Sequence, residues 1–160
     1  MTVKPWVWWR TRLYELLAAL VMVSAIISAG LFITQNQRSA VPASAWFRVN
    51  EVFVPDHRSG ENPAMIYDRV IYEQFEGFWI VEAQMQVENG LWSNKCSGTG
   101  ISQYDPGEVI QNNTTDLHWF MGKACDLAPG VYRLRITWTM VRPDWPPKRL
   151  FVLSNPFTVS

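Results

Sequence analysis

A chain of 160 residues has room for one ordinary domain and an appendage, and its 14% of aromatic residues, nine of them Trp, excludes a disordered chain. The formal net charge of zero hides an asymmetry: residues 1–45 carry Lys4, Arg10, Arg12 and Arg38 against Glu15 alone, whereas residues 46–160 are mildly acidic. With no basic stripe or base-stacking motif, nucleic acid is not an expected partner.

The first feature in the chain is the run "LLAALVMVSAIISAGLFI", Leu16 to Ile33, which contains no charge. Extended to Leu13–Thr34 it is long enough to cross the ~30 Å hydrocarbon core of a bilayer. Residues 13–34 are therefore expected to form a transmembrane helix. Residues 1–12 form a cytoplasmic flank, in which Lys4, Arg10 and Arg12 supply positive charge and Trp6, Trp8 and Trp9, with Tyr14 just beyond, form an aromatic belt. That arrangement puts the carboxyl-terminal domain outside, periplasmic or extracellular.

A cleaved signal peptide is the competing reading, because Ala43-Ser-Ala45 has the form of a cleavage site and would release a chain beginning at Trp46. Signal-peptide cores are shorter, about 7–15 residues, which weighs toward an uncleaved anchor. A buried helix of a soluble protein fits less well, since the run is apolar on all sides. Ser24 with Ser28 and Ala25 with Ala29 give small residues at four-residue spacing, suited to a second membrane helix, although small residues are also simply common in such spans. Glu15 is expected beside Arg12 in the headgroup region. Residues 35–45, "QNQRSAVPASA", read as a short linker.

From Trp46 the apolar period changes to two. In "FWIVEAQMQVE" the residues Trp79, Val81, Ala83, Met85 and Val87 alternate with a polar set that also holds Ile80. In "VYRLRITWTM" Tyr132, Leu134, Ile136, Trp138 and Met140 alternate with Arg and Thr. Both predict antiparallel strands with one buried face. Further strands are expected at residues 47–54, 64–74, 91–97, 117–120, 149–153 and 157–159. The turn signals between them are "PDHRSGENP", "EGF", "ENG", "YDPGE", "LAPG" and "SNP". Many short strands without a convincing helix imply an all-β antiparallel sandwich over residues 46–160, preceded by the one transmembrane helix.

The segment "LAPGVYRLRITW" resembles the penultimate strand of immunoglobulin-like and fibronectin type III-like sandwiches, where a Pro-Gly turn leads into a Tyr and then alternating apolar residues. The resemblance implies an Ig-like β-sandwich. It does not imply that family's inter-sheet disulfide, because Leu134 stands where its cysteine follows the tyrosine. One span followed by a β domain with "FEGFW", "CSGTG" and "SNPF" also resembles small membrane proteins of bacterial and phage genomes, which brings no chemistry with it.

Cys96 and Cys125 are the only cysteines, and both lie on the side expected to be outside, where a pair tends to bridge. Two buried thiols or a metal pair are the alternatives, but two cysteines with distant histidines make a poor zinc set. Catalytic signals are sparse. His57 and His118 are the only histidines, and no serine sits in a G-x-S-x-G elbow. "CSGTGIS" lacks the third glycine and following helix of a nucleotide-binding loop. Asp56, His57 and Glu61 share a polar loop that could take a cation but would ordinarily just be solvated. Asn112 and Asn113 begin sequons of use only in a eukaryotic secretory route. No catalytic residue, metal or cofactor is expected.

A non-catalytic role remains: an interaction module that binds a protein partner outside the membrane, as an accessory subunit of a membrane complex. The alternatives are a glycan-binding module stacking sugars on Trp92, Trp119 or Trp145, and a hydrolase with an unrecognised site. The stretch "RPDWPPKR" frames the question. Trp145 either folds back to plug the end of the sandwich, or is held outward by its prolines as a contact with Asp144, Lys148 and Arg149 as its polar rim.

Overall fold

A computed structural model describes residues 5–108, 114–122 and 125–160, with side chains from residue 12 onward. It comprises a helical unit ending at Ala40 and a compact β unit over residues 41–160.

The helical unit is one helix, α1 (Pro5–Ala40), of 36 residues. Each large apolar side chain between Leu13 and Ile33 is more than half exposed. The stretch Arg12–Ala40, with mean hydropathy reaching 2.6, is long and apolar enough to cross a membrane. The hydroxyls of Ser24 and Thr34 donate to the carbonyls of Val21 at 2.8 Å and Gly30 at 2.9 Å, so neither needs a solvent partner. Arg12 reaches Glu15 at 3.9 Å, one turn along the helix. The helix continues through most of the segment read as a linker. Residues 35–40 hold no Gly or Pro, and Pro42 pushes Val41 out of the helical region only after Ala40. The flanking Lys4, Trp6, Trp8, Trp9 and Arg10 lie outside the residues whose side chains are described.

The β unit contains β1 (Phe47–Phe53), β2 (Ala64–Ile71), β3 (Phe75–Gln86), β4 (Trp92–Tyr104), β5 (Thr114–Asp116), β6 (Gly130–Val141), β7 (Lys148–Leu153) and β8 (Phe157–Val159), with one short helix, α2 (Leu117–Met121). A small sheet has the order β1-β2-β5 and a large one β4-β3-β6-β7, every pairing antiparallel. Strand β8 continues along the β7 edge of β6, pairing with Gly130–Tyr132 where β7 pairs with Arg135–Met140.

One aromatic core joins the two sheets. Phe47 of β1 meets Phe75, Tyr104 and Trp138 of the large sheet at ring distances of 5.6, 5.3 and 5.3 Å. Tyr67 of β2 stacks on Trp138 at 6.0 Å. The residues expected inward on β3 and β6, namely Trp79, Val81, Tyr132, Leu134, Ile136 and Trp138, are all buried, while Met85 is half-buried. The chain's last strands are also stitched to the small sheet. The Asn155 side chain accepts the Val54 amide at 2.7 Å and donates to the Val54 carbonyl at 2.9 Å. The His57 amide donates to the Thr158 carbonyl and the Ser160 amide donates to the His57 carbonyl, both at 3.0 Å.

Three sequence expectations are corrected, all for one reason. "EGF" is not a turn but lies within β3, the strand expected at residues 91–97 runs on through "SGTGIS" to Tyr104, and residues 117–120 form α2 instead of a strand. Gly77, Gly98 and Gly100 serve close approach. A Cβ on Gly77 would stand 2.5 Å from the Tyr104 ring, one on Gly100 2.2 Å from the Trp79 ring, and one on Gly98 2.1 Å from the Phe120 carbonyl. The inward positions of β4 are therefore nearly flat, and α2 lies directly on them, closing the core where the small sheet is too narrow to cover the large one.

Candidate interaction surface

The outward face of the large sheet is built from residues of opposite parity to the core, and the register fixes its rows. Ile101, Phe78, Thr139 and Arg149 form one row across β4, β3, β6 and β7. Thr99, Ile80, Thr137 and Phe151 form the next, followed by Ser97, Glu82, Arg135 and Leu153. Five large apolar side chains in these rows are exposed: Ile101 at 62%, Phe151 at 55%, Ile80 at 48%, Phe78 at 41% and Leu153 at 40%. Ile101, Phe78 and Ile80 adjoin one another on β4 and β3, and Phe151 and Leu153 lie on β7 across Thr139, Thr137 and Arg135 of β6. Scattered exposed apolar residues are normal, but five gathered on one sheet face form a patch of the kind that marks an interaction site.

The same face turns polar toward its other end, where each group is tied down. Glu82 and Arg135 pair at 3.7 Å. Asn94 donates to Glu82 at 2.6 Å, Gln84 donates to Asn94 at 2.9 Å, and Arg133 donates to Gln84 at 3.0 Å. The β4 register shift beside Ala83/Gln84 brings Asn94 opposite Gln84 and makes this network possible. Arg133 also lies over the Trp92 ring at 4.3 Å. The surface is thus an apolar half beside a pre-ordered charged half, rigid because both are carried by strands.

Cys96 and Cys125 are joined, with their Cα atoms 5.8 Å apart, which ties β4 to the segment leading into β6. Trp145 is half-buried against the core. Its ring meets the buried Trp46 edge-on at 5.4 Å, and the Arg142 guanidinium lies 5.1 Å from Trp46 and 5.6 Å from Trp145 while pairing with Glu73 at 3.1 Å. The tip is a turn in which the Trp145 amide donates to the Arg142 carbonyl at 3.3 Å, with Pro143 fixing the first central position and Asp144 at φ 61° the second. Asp144 and Arg149 are exposed, whereas Lys148 is buried at the start of β7 and does not stand at a rim.

Trp92 and Trp145 stand at opposite ends of the large sheet, since Trp92 pairs with Gln86 and the tip follows Val141, which pairs with Glu76. Trp119, 56% exposed on α2, stacks on Trp79 at 5.5 Å. The three therefore form no common stacking platform. Ser24, Ala25, Ser28 and Ala29 are exposed on α1.

In the polar loop, Asp56 accepts the Thr158 amide at 2.6 Å, Glu61 accepts the Arg58 amide at 2.9 Å, and His57 stacks on Phe157, so each has a structural task. The His118 amide donates to Asn62 at 2.9 Å. Among the described residues no three His, Cys, Asp or Glu side chains converge on a point that could hold a metal ion. Asn112 and Asn113 lie outside the described residues.

Sequence reasoning missed the patch. The signal was Ile80 and Phe78 at outward positions of a strand whose inward set was already complete, with Phe151 and Leu153 repeating that parity on β7. Comparison of the chain with protein-family models, with curated proteins and with solved structures finds no match.

Proposed function

We propose that this chain is a single-pass, membrane-anchored interaction module: α1 is an uncleaved anchor with its amino terminus in the cytoplasm, and residues 41–160 form an Ig-like sandwich outside that binds a protein through the outer face of the large sheet. The exposed apolar patch of Phe78, Ile80, Ile101, Phe151 and Leu153 carries the reading, because an unoccupied face of that kind is costly in a soluble unit unless something covers it.

Two observations support the Ig-like part. The order β1-β2-β5 follows strands A-B-E of that fold and β3-β6-β7 follows C-F-G, with β4 added at the free edge of C. The Tyr132 hydroxyl, near the start of the penultimate long strand, donates to the Ala128 carbonyl at 2.8 Å, the corner bond found at that place in such sandwiches. The basic residues before the apolar run support the orientation. The separation of the three tryptophans removes the support for a glycan platform.

The test combines topology with capture. Protease added to spheroplasts with an intact cytoplasmic membrane should digest the β unit and spare the amino terminus, and a photo-crosslinker at position 151 should trap a neighbouring protein that Ile80→Asp releases. A mature chain beginning at Trp46, a β unit protected until the cytoplasmic membrane is opened, or capture indifferent to Ile80→Asp would each overturn the corresponding part.

A further inference from the structure

We infer that the occupant of this face is a second copy of the same chain, related by a two-fold axis parallel to the strands. The inference rests on reading the face as an interaction surface. A rotation about such an axis reverses the strand order, so β3 of one copy lies over β6 of the other with the rows in step. Glu82 then faces the partner's Arg135, and Arg135 faces the partner's Glu82, which extends the existing ion pair into a four-charge set. Phe78 and Ile80 of both copies meet next to the axis, and Ile101 comes diagonally beside the partner's Phe151.

The other axis that brings the two faces together runs across the strands. Centred at Trp79, between Phe78 and Ile80, it would lay β3 over β3 and set Glu82 against the partner's Glu76, acid on acid, with no charge of opposite sign to oppose either.

Four strands at ~4.8 Å spacing and about eight residues of length give a face of roughly 500 Å² per copy, below the ~800 Å² per partner of a standard interface. The contact is therefore weak for free molecules and strengthened when a shared bilayer raises the effective concentration.

Full-length chains in phosphatidylcholine–phosphatidylglycerol vesicles, carrying two distinguishable tags, test this by chemical crosslinking. Wild type should give a crosslinked dimer, and Glu82→Arg alone or Arg135→Glu alone should lower it at least about tenfold, since like charges then oppose across the axis. Mixing the Glu82→Arg chain with the Arg135→Glu chain should restore a mixed dimer. Each chain still carries its internal like-charge pair in the mixture, so recovery reports contact between copies and not repair within one. Ile101→Asp, at the margin of the face, must also lower crosslinking, and serves if a charge variant fails to fold. A wild type without dimer, or single variants that crosslink normally, or no recovery on mixing, overturns the inference. If these fail while Ile80→Asp still releases a neighbour in cells, the partner is a different protein and the interaction reading stands; if Ile80→Asp also releases nothing, both fall.

Discussion

Replacing Gly98 by Ala adds one methyl group, and the structure says where it goes. The new Cβ would stand 2.1 Å from the Phe120 carbonyl, 2.9 Å from Met121 Cα and 3.0 Å from Met121 C, all backbone atoms of α2 or its end. Ordinary contacts lie near 3.5 Å, so α2 must withdraw by more than ~1 Å. Phe120 and Met121, 1% and 4% exposed, would move with it. A gap of that size forfeits a quarter to a half of the contact energy of side chains worth ~1.5–3 kcal/mol each, and the strain of overpacking adds ~1–3 kcal/mol. We expect a loss of ~2–5 kcal/mol. The control is Gly107→Ala, where nothing lies within 4 Å but φ is +81°, so only the ~1 kcal/mol cost of a left-handed alanine applies. Urea unfolding followed by Trp fluorescence, with the disulfide intact, measures both. If Gly98→Ala costs no more than Gly107→Ala, α2 does not rest on β4 as described.

Trp145→Ala should cost ~2–4 kcal/mol in the same assay, because it removes a half-buried ring from Trp46 and from under Arg142; an unchanged midpoint would mean the ring contributes no closure. Alkaline pH should also destabilise the fold. Burial, and then the neighbouring Tyr104, hold the Tyr67 phenol well above its ordinary value, and burial likewise raises Tyr104. The folded state therefore keeps protons that unfolded tyrosines lose near pH ~10, so stability is full below that value and falls as pH rises through it. The urea midpoint should drop above pH ~10, less steeply in Tyr67→Phe, and equal slopes in the two proteins would refute the assignment.

Much of the β unit was legible because its long strands bury one face. The alternations around Val81 and Leu134 name the core residues on β3 and β6, and the cysteine pair was expected from the compartment that the apolar run suggests. What failed were local signals that tertiary packing overrode. Gly77, Gly98 and Gly100 carry the same residue type as a turn, and only the aromatic rings and the helix above them reveal that a side chain would not fit. Leu117 to Phe120 are apolar and aromatic enough to read as strand, yet the flat surface of β4 offers a helix its seat. The candidate surface was harder still, since an outward Ile or Phe is unremarkable until register aligns it with others from strands far apart in sequence.

The hydrogen bonds that join Asn155 to Val54 and the β8 segment to His57 have a mechanical consequence. If the chain is anchored and a partner is held on the large sheet as proposed, a pull between them enters the β unit through β1, which belongs to the other sheet. Besides side-chain packing and the chain's own connection between β2 and β3, that load crosses between sheets through this stitch, whose bonds lie close together between residues 52–59 and 155–160. They share the force and must yield in concert, where a ladder opened from one end would yield bond by bond. Under tension the sheets hold together at the point where the end of the chain returns to meet its first strand.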